Sequence, residues 1–267
     1  MRVETLSSLK NPLLKEVRKA VAHGSLTEDG FAVAESFHLL EEALRSERPV
    51  KAVLVAEPIQ TAIQNHVRGL RGPRVIVAPE ELFREISSTR ASQGLIALVK
   101  PPVWTLEQLF RGRTLLVVLD GVQDPGNAGS IVRAAEAFGA TGVAFLKGSV
   151  SPHNPKCLRA SAGSLFRVPY VEGIEDSVLR AAIAHHRLDF YAATATGKRT
   201  VQGVDLTRRC ALAIGSEGNG LSRPLRSAAV DLRIPTTGVE SLNAAVAAGV
   251  LLYEARRQRT ANPNEPL

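Results

Sequence analysis

Asn127 and Arg133 are the first polar residues whose spacing points to chemistry. They follow an almost entirely apolar run, residues 114–119, through a turn rich in glycine, proline and asparagine, and a helical pattern continues after them. Ligands of open α/β sheets gather where the carboxyl ends of strands meet loops, so we expect both side chains to project into a binding crevice. A purely structural explanation also exists, because Gly126 and Gly129 suit a tight turn and an arginine suits a helix surface.

Glu217 lies in a second loop, which also follows an apolar run. Residues 213–221 read Ala-Ile-Gly-Ser-Glu-Gly-Asn-Gly-Leu, so a buried strand ends in three glycines and one carboxylate. Glycines let a backbone approach a ligand closely, and the free N–H and C=O groups of such a loop can clasp an adenosine. The loop predicts a nucleoside-binding site, although glycines are also common in ordinary turns.

Ser241 and Asn243 precede a helix that is apolar on nearly every face. Residues 234–254 begin with a polar turn and continue mainly with alanine, valine and leucine. Such a helix must be buried against a core or against a second subunit. We expect Ser241 and Asn243 to line a site at its N-terminus, while Ser241 or Glu240 could instead serve only as its cap.

Several other kinds of site are excluded. No G-x-G-x-x-G follows the first strand and no G-x-x-x-x-G-K-[ST] occurs anywhere, which excludes a standard dinucleotide-binding oxidoreductase and a P-loop NTPase. Cys157 and Cys210 are far apart and neither has a cysteine nearby. The sequence therefore predicts neither a redox dithiol nor a metal site.

The overall charge favours a polyanionic partner. The chain has 33 Lys and Arg against 26 Asp and Glu, a formal net charge of +7. Because Lys and Arg gain affinity for phosphates by releasing counterions, nucleic acid is the leading candidate, and a charge that serves only solubility is the alternative. No signal-peptide pattern and no apolar run of roughly 18 residues is present, so we expect a cytoplasmic protein that does not cross a membrane.

The elements that must position the polar residues alternate between strands and helices, which predicts an α/β protein. In the first hundred residues the pattern predicts helices over 11–22, 37–44, 59–67 and 80–86 and strands over 31–34, 50–56, 74–77 and 94–99. Beyond them it predicts buried strands over 114–119, 142–146, 190–193, 211–214 and 232–234, with helices between.

Pro101 and Pro102 can continue neither a strand ladder nor a helix comfortably, so they mark a linker over residues 101–105. We predict one domain over residues 1–100, a second over 106–259 that folds without the first, and a disordered tail over 260–267.

Together, the three polar segments resemble the signature motifs of the SpoU, or TrmH-like, class of SPOUT RNA methyltransferases. The first is similar to N-x-G-x-x-x-R at Asn127, Gly129 and Arg133, and the second to G-S-E-x-x-G over residues 215–220. The third is similar to I-P…S-L-N-x-x-V-A, which starts at Ile234. The resemblance spans about residues 114–257.

Residues 1–100 resemble the L30e-like substrate-binding domain of the same family. Asn11-Pro12 and the strand around residues 31–35 stand in the expected places, and Ser36 stands where members often carry glycine. The resemblance therefore implies a smaller N-terminal L30e-like α/β domain.

For the second domain, the resemblance implies a parallel sheet with a C-terminal trefoil knot that binds S-adenosylmethionine in its knotted loops. The residues that it assigns to the cofactor are Thr194, Gly215, Ser216, Gly218, Gly220, Ile234 and Leu242. Thr236 replaces the methionine that many members have after the Ile-Pro pair, which changes one wall of that site.

The implied activity is transfer of a methyl group from a sulfonium to a ribose 2′-oxygen of RNA. The implied catalytic residues are Asn127, Arg133, Glu217, Ser241 and Asn243. In the family the arginine is proposed as the base. A guanidinium is effectively always protonated, so Arg133 could instead clamp the adjacent phosphate and hold the hydroxyl.

The implied partners are RNA, ribosomal rather than transfer RNA, and a second copy of the chain in a homodimer. Candidate RNA-binding residues are Lys10, Lys15 and Arg18 near the start, and Lys156 and Arg159, which are three apart and share a helical face. A solvated basic edge is the alternative for the last two. Rival functions are an antibiotic-resistance rRNA methyltransferase of the same fold and a non-catalytic RNA-binding protein.

Overall fold

The computed structural model describes residues 3–6, 8, 10–60, 74–89 and 92–260, which fall into two compact units. Unit 1 takes its residues from Met1–Val103 and His153–Arg167, and unit 2 from Trp104–Pro152 and Val168–Leu267. The first passage between the units falls inside the predicted linker. No sequence pattern indicates that His153–Arg167 packs with the N-terminal residues.

Strands and helices alternate along the described residues, as the α/β prediction requires. The strands are β1 (Val3–Thr5), β2 (Ala32–Ala34), β3 (Val50–Ala56), β4 (Arg74–Ala78), β5 (Leu95–Val99), β6 (Leu115–Asp120), β7 (Gly142–Leu146), β8 (Tyr170–Ile174), β9 (Asp189–Ala193), β10 (Arg199–Thr200), β11 (Cys210–Gly215) and β12 (Val230–Arg233). The helices are α1 (Pro12–His23), α2 (Phe37–Arg45), α3 (Glu80–Ile86), α4 (Pro125–Ala137), α5 (Pro155–Ala160), α6 (Asp176–His185), α7 (Arg223–Ala228) and α8 (Ala244–Arg259).

Two of the predicted elements lie partly or wholly outside the described residues. Where the helix predicted over 59–67 begins, the structure has a 3₁₀ turn at Glu57–Ile59, and residues 61–67 lie outside the described residues. Of the tail predicted over residues 260–267, Thr260 is described and follows the last helix, and residues 261–267 lie outside.

Unit 1 is built on a five-stranded mixed sheet in the order β1-β4-β3-β5-β2. Helix α1 begins where the side chain of Asn11 accepts a hydrogen bond from the Leu13 backbone N–H at 2.9 Å, with proline at the first helical position. Its face of Leu14, Val17 and Ala20 is buried in the core above the sheet. This amphipathic helix therefore forms as its sequence predicts.

The segment His153–Arg167 joins unit 1 through two carboxylates that are nearly inaccessible. Arg159 Nη1 lies 3.2 Å from Glu35 Oε2, and Glu35 is only 3% exposed. Arg167 Nη1 lies 2.6 Å from Glu42 Oε2. At Gly163, a Cβ would come within 2.6 Å of the Glu42 side chain, so glycine permits this close approach.

Unit 2 is built on a seven-stranded sheet in the order β10-β12-β9-β11-β6-β7-β8, and every pair in it is parallel. All six residues of β6 are buried, which is the pattern of a strand covered on both faces. β12, from late in the chain, inserts between β9 and β10, which fits the trefoil knot that the resemblance implies.

The register of β6 and β11 determines where the functional loops start. Asp120 at the end of β6 pairs with Gly215 at the end of β11. The loops that follow these two strands therefore leave the sheet side by side, although about a hundred residues separate them in sequence.

No helix within the described ranges is long and apolar enough to span a membrane. Both cysteines are buried, and neither forms a disulfide bond. Among the residues with described positions, no group of three or more His, Cys, Asp or Glu side chains could hold a metal ion.

Candidate active site

The turn after β6 places Asn127 at the start of α4. Asp124 is the N-cap of this helix, and its Oδ1 accepts a hydrogen bond from the Asn127 backbone N–H at 2.7 Å, with Pro125 at the first helical position. Asn127 therefore lies in the first helical turn, at the carboxyl edge of the parallel sheet.

Asn127, Glu217 and Asn243 form one hydrogen-bonded cluster, which we call the Asn–Glu–Asn cluster. Asn127 Nδ2 donates to Glu217 Oε1 at 2.8 Å, and Asn243 Nδ2 donates to the same oxygen at 2.7 Å. Asn243 Nδ2 also donates to Asn127 Oδ1 at 3.0 Å. The three polar segments identified from the sequence thus meet at a single carboxylate.

Asn243 is held at both ends of its amide. Its Oδ1 accepts hydrogen bonds from the backbone N–H groups of Ala245, at 3.0 Å, and Val246, at 3.2 Å, so Asn243 is the N-cap of α8. The sequence suggested Ser241 or Glu240 as a possible cap, which is wrong because α8 begins only at Ala244. Capping leaves the Asn243 amide group directed at Glu217.

The loop that carries Glu217 folds back on itself. Ser216 and Gly220 exchange two backbone hydrogen bonds, of 3.0 and 2.9 Å, and Gly220 adopts a left-handed φ of +65°. A Cβ on Gly215 would lie 2.2 Å from the backbone carbon of Gly220. Only glycine therefore allows the strand end and the loop to pack this closely, which explains two of the three glycines.

A cavity of about 520 Å³ opens between this loop, the end of β9 and the segment before α8. Six of the seven residues predicted to bind the cofactor line it: Thr194, Gly215, Ser216, Gly220, Ile234 and Leu242. Glu217, Ser241 and Asn243 line it as well. Gly218 is the seventh and lines a neighbouring cavity instead.

The first cavity fits S-adenosylmethionine in its chemistry. Ile214, Leu232 and Leu242 give it apolar walls suited to a base. The Thr194 hydroxyl is buried and has no hydrogen-bond partner among the described residues, which suits a wall that meets a polar ligand group. When bound, the cofactor supplies an activated methyl group on a sulfonium. Thr236, at the position where the resemblance expects methionine, also lines this cavity.

A second cavity, of about 540 Å³, lies on the other side of the Glu217 loop. Asn127 lines the second cavity, Asn243 lines the first, and Glu217 lines both. The Asn–Glu–Asn cluster therefore stands where the two cavities meet.

Arg133 is separate from this cluster. It is exposed on α4 on the same face as Ser130 and Ala137, and it lines neither cavity. No hydrogen bond among the described residues joins it to Asn127 or Glu217. Six residues along an α-helix correspond to a rise of about 9 Å, which accounts for its distance from Asn127.

The candidate RNA-binding residues all belong to unit 1. Lys10, Lys15, Arg18 and Lys156 are exposed. Arg159 differs, because it is paired with the buried carboxylate of Glu35 and also donates to the Ser88 hydroxyl. Its guanidinium is therefore engaged inside the unit.

Sequence reasoning missed three polar residues at the site. Asp124 is the helix cap, and an aspartate before a proline is a recognisable signal of a helix start. Asp120 Oδ2 accepts a hydrogen bond from the Ser222 backbone N–H at 2.6 Å, which ties β6 to the Glu217 loop. Arg226 lines the first cavity while paired with Asp231, and no local sequence signal indicates it.

A parallel sheet whose strand ends carry a glycine-rich cavity, with a fixed carboxylate at the mouth of that cavity, is typical of an α/β enzyme that binds its ligands at the carboxyl edge of the sheet. The chain belongs to the SpoU rRNA methylase family, whose model matches residues 114–253. Residues 11–97 match the MRM3-like substrate binding domain. The protein is thus an S-adenosylmethionine-dependent RNA 2′-O-methyltransferase, as the three motifs predicted.

Similar proteins support this assignment over nearly the whole chain. The 23S rRNA (guanosine(2553)-2'-O)-methyltransferase RlmP of Bacillus subtilis is 31% identical over 95% of this chain and 100% of its own length. The 23S rRNA (guanosine-2'-O-)-methyltransferase RlmB of Vibrio cholerae is 32% identical over 80% of this chain and 95% of its own. The SpoU methyltransferase AviRb of Streptomyces viridochromogenes, solved with AdoMet, matches with a TM-score of 0.83 and 27% identity over 94% of this chain and 99% of AviRb.

Proposed function

We propose that the chain methylates a ribose of 23S rRNA at the Asn–Glu–Asn cluster. The observation that carries the proposal is that Glu217 lines both cavities, with its Oε1 held by two amide donors at 2.7 and 2.8 Å. RlmP, which matches 95% of this chain, and RlmB, which matches 80% of it, are both named as 23S rRNA methyltransferases, which favours ribosomal over transfer RNA. We assign this activity to the cytoplasm, where ribosomal RNA is modified in bacteria.

In this proposal Glu217 positions the acceptor hydroxyl. Oε2 accepts no hydrogen bond from the described residues, so it is open to the ribose 2′-hydroxyl and can receive its proton. Asn127 and Asn243 hold the carboxylate in one orientation, and Ser241 lies in the wall of the cofactor cavity. Much of the rate enhancement then comes from alignment of the hydroxyl with the carbon–sulfur bond.

We assign Arg133 to the phosphate next to the acceptor ribose. A guanidinium binds phosphate with two parallel hydrogen bonds and keeps its charge at any physiological pH, so a clamp suits it better than a base does. The exposed residues Lys15, Arg18 and Lys156 would hold further phosphates on unit 1. Arg159 is assigned to the structure of unit 1, because of its pairing with Glu35.

We further propose a homodimer formed through α8. Val246, Val250 and Tyr253 recur at helical spacing and are 52%, 37% and 57% exposed, which is unusual for apolar side chains on one face. A second copy of the same face would cover them in an isologous interface. Light scattering should give a mass of about twice 28.6 kDa, and Val250→Glu should halve it. A monomer at micromolar concentration contradicts this proposal.

The enzymatic proposal is tested with purified protein, S-adenosylmethionine and an unmodified 23S rRNA transcript. Alkaline hydrolysis should reveal one protected position, because a 2′-O-methyl group blocks cleavage of the following bond. The Glu217→Gln variant should leave that position unprotected. Protection of a transfer RNA transcript, but not of 23S rRNA, would overturn the assignment of the substrate.

A further inference from the structure

The second cavity has a location that the cofactor does not explain. It opens where β6 ends, between Asp120, Gln123 and Asp124 on one side and the Glu217 loop on the other. Its volume of about 540 Å³ is within the range of small-molecule sites and exceeds what one base requires.

The two cavities touch at the atoms that the transfer needs. The amide of Asn127, from the second cavity, and that of Asn243, from the first, are hydrogen-bonded at 3.0 Å. A methyl transfer brings two ligands together at one point, so a cofactor in the first cavity leaves the second for the acceptor. This step rests on the function proposed above.

We propose that the second cavity receives the unstacked base of the acceptor nucleotide and selects guanine through Asp120. Specific recognition of RNA commonly takes unstacked bases and reads their Watson–Crick edges by hydrogen bonding. An acceptor base in this cavity would place its own ribose beside the Asn–Glu–Asn cluster.

The charge of the lining decides which part of a nucleotide enters. The charged side chains that line the second cavity are Asp120, Asp124 and Glu217, and no Lys or Arg from the described ranges joins them. Such a lining repels a phosphate and favours a ligand edge that donates hydrogen bonds. The cavity therefore suits a base and leaves the phosphates outside it.

Among the four bases, guanine presents the matching edge. Its N1–H and N2–H₂ are adjacent donors, and an ionised carboxylate only accepts hydrogen bonds, through two oxygens. Adenine and cytosine place a single amino group next to a ring acceptor, and uracil places one N–H between two carbonyls. Gln123, at the rim of the same cavity, can donate its amide to guanine O6.

Asp120 is the carboxylate best placed to read that edge. It is 9% exposed, at the end of a central strand, and its Oδ2 is fixed by the Ser222 N–H at 2.6 Å. Oδ1 has no hydrogen bond from the described residues and is available to a ligand. Asp124, by contrast, is exposed and uses Oδ1 to cap α4.

The first experiment identifies the methylated nucleoside. The full-length chain is incubated with S-adenosylmethionine and an unmodified 23S rRNA transcript, which is then digested to nucleosides for mass spectrometry. We expect 2′-O-methylguanosine. A different 2′-O-methyl nucleoside would overturn the guanine inference while leaving the proposed function intact, and no methylated nucleoside would overturn both.

The second experiment tests Asp120. Short RNAs that contain the mapped site carry either guanosine or inosine, which lacks the N2 amino group, at the acceptor position. Loss of a hydrogen bond to a charged group should lower kcat/KM of the wild-type enzyme by about tenfold on inosine. In Asp120→Asn the remaining side-chain oxygen can still accept from the Ser222 N–H, but the second oxygen, which would accept from the guanine N2 amino group, is gone. The variant should therefore have the same kcat/KM on the two RNAs.

Asp176→Asn is the matched control, because this carboxylate lies on α6 and lines neither cavity. It should keep the tenfold preference. Cofactor affinity and the thermal midpoint show whether the Asp120→Asn chain is folded. If it is not folded, the ratio of kcat/KM on the guanosine RNA to kcat/KM on the inosine RNA, measured with the wild-type enzyme, decides the guanine assignment. Equal rates on both RNAs for the wild type, or an undiminished preference in a folded Asp120→Asn variant, would overturn the inference.

Discussion

Asn243 Nδ2 lies 2.7 Å from Glu217 Oε1 and 3.0 Å from Asn127 Oδ1, so one amide joins a helix start to a loop and to a second helix start. The same residue caps α8 through its Oδ1. A side chain that caps the start of one helix and also orients a carboxylate links the backbone directly to the site, which makes the geometry of Glu217 depend on secondary structure.

Glu217→Gln should remove most of the activity and leave the fold intact. Glutamine can still accept from both amides through its oxygen, whereas the negative charge that receives the hydroxyl proton is lost. We expect the single-turnover rate to fall on the order of a hundredfold, with cofactor affinity within a few-fold of wild type. Glu175→Gln, whose carboxylate pairs with Lys147 at 2.8 Å, is the control and should methylate normally. A wild-type rate for Glu217→Gln would exclude the assigned role.

Arg133→Ala should bind S-adenosylmethionine normally, because Arg133 lines neither cavity. The variant should fail to transfer the methyl group, because the phosphate next to the acceptor ribose is no longer held. Titration calorimetry measures the first property and single-turnover kinetics the second. Arg133→Lys keeps the charge but loses the planar pair of donors, so a phosphate clamp predicts a weakened affinity for RNA with a partial rate. Full activity of Arg133→Ala on RNA would refute the clamp.

Arg159→Met should destabilise unit 1, whereas Lys156→Met should affect only RNA binding. Removal of the guanidinium leaves the Glu35 carboxylate, 3% exposed, without its cation, at a cost of about 3 kcal/mol in the free energy of unfolding. Lys156 is exposed on the same short helix, so its loss should reduce only the salt dependence of RNA binding. Denaturant titration and filter binding at several salt concentrations separate the two effects, and equal stabilities would contradict this assignment.

Deletion of residues 1–104 should leave a chain that is prone to aggregation. From the sequence alone, we expected the remaining domain to fold by itself. The structure alters this expectation, because Cys157, Leu158 and Phe166 are buried in a segment that packs with unit 1. Limited proteolysis should cut the truncated protein within residues 153–167 and spare the full chain there. A truncated protein that resists cleavage and binds cofactor would restore the original expectation.

The stability of the protein should fall between about pH 9 and pH 11 because of Cys210. Burial raises the pKa of this thiol from 9.0 to about 11. The unfolded chain therefore releases the proton at lower pH than the native chain, so the free energy of unfolding is unaffected below pH 9 and declines as the pH rises through this window, by roughly 2 kcal/mol. Urea titrations of wild type and Cys210→Ala at pH 8 and 10.5 measure the difference, which should shrink at the higher pH. A pH-independent difference would contradict the shift.

Strands in which nearly all residues are apolar were predictable from the sequence, and strands that mix apolar and polar residues irregularly were not. β6 is apolar up to its last residue, Asp120, and β7 is apolar throughout; the sequence predicted both within one residue. β8 was missed, because at the edge of the sheet it buries only Tyr170 and carries Glu172 and Gly173 outward. Its alternation is too irregular for a strand signal.

The contents of the site were largely predictable, but its arrangement was not. Motif resemblance identified Asn127, Glu217 and Asn243, and the structure joins all three. The second cavity depends on the alignment of Asp120 with Gly215 across two strands, a long-range pairing that no local pattern encodes. The pairing of Arg159 with Glu35 is also a long-range contact that no local pattern encodes, since the two residues are 124 positions apart.

The return of residues 153–167 to unit 1 has a consequence for synthesis on the ribosome. Domains generally fold in the order in which they emerge, the N-terminal one first. Here the first 103 residues leave the ribosome without Arg159, which pairs with Glu35, and without Arg167, which pairs with Glu42. Unit 1 can be completed only after Arg167 has emerged, by which time β6 and β7 of unit 2 are already outside. The nascent chain must therefore keep an unfinished N-terminal unit soluble while the second unit begins to form.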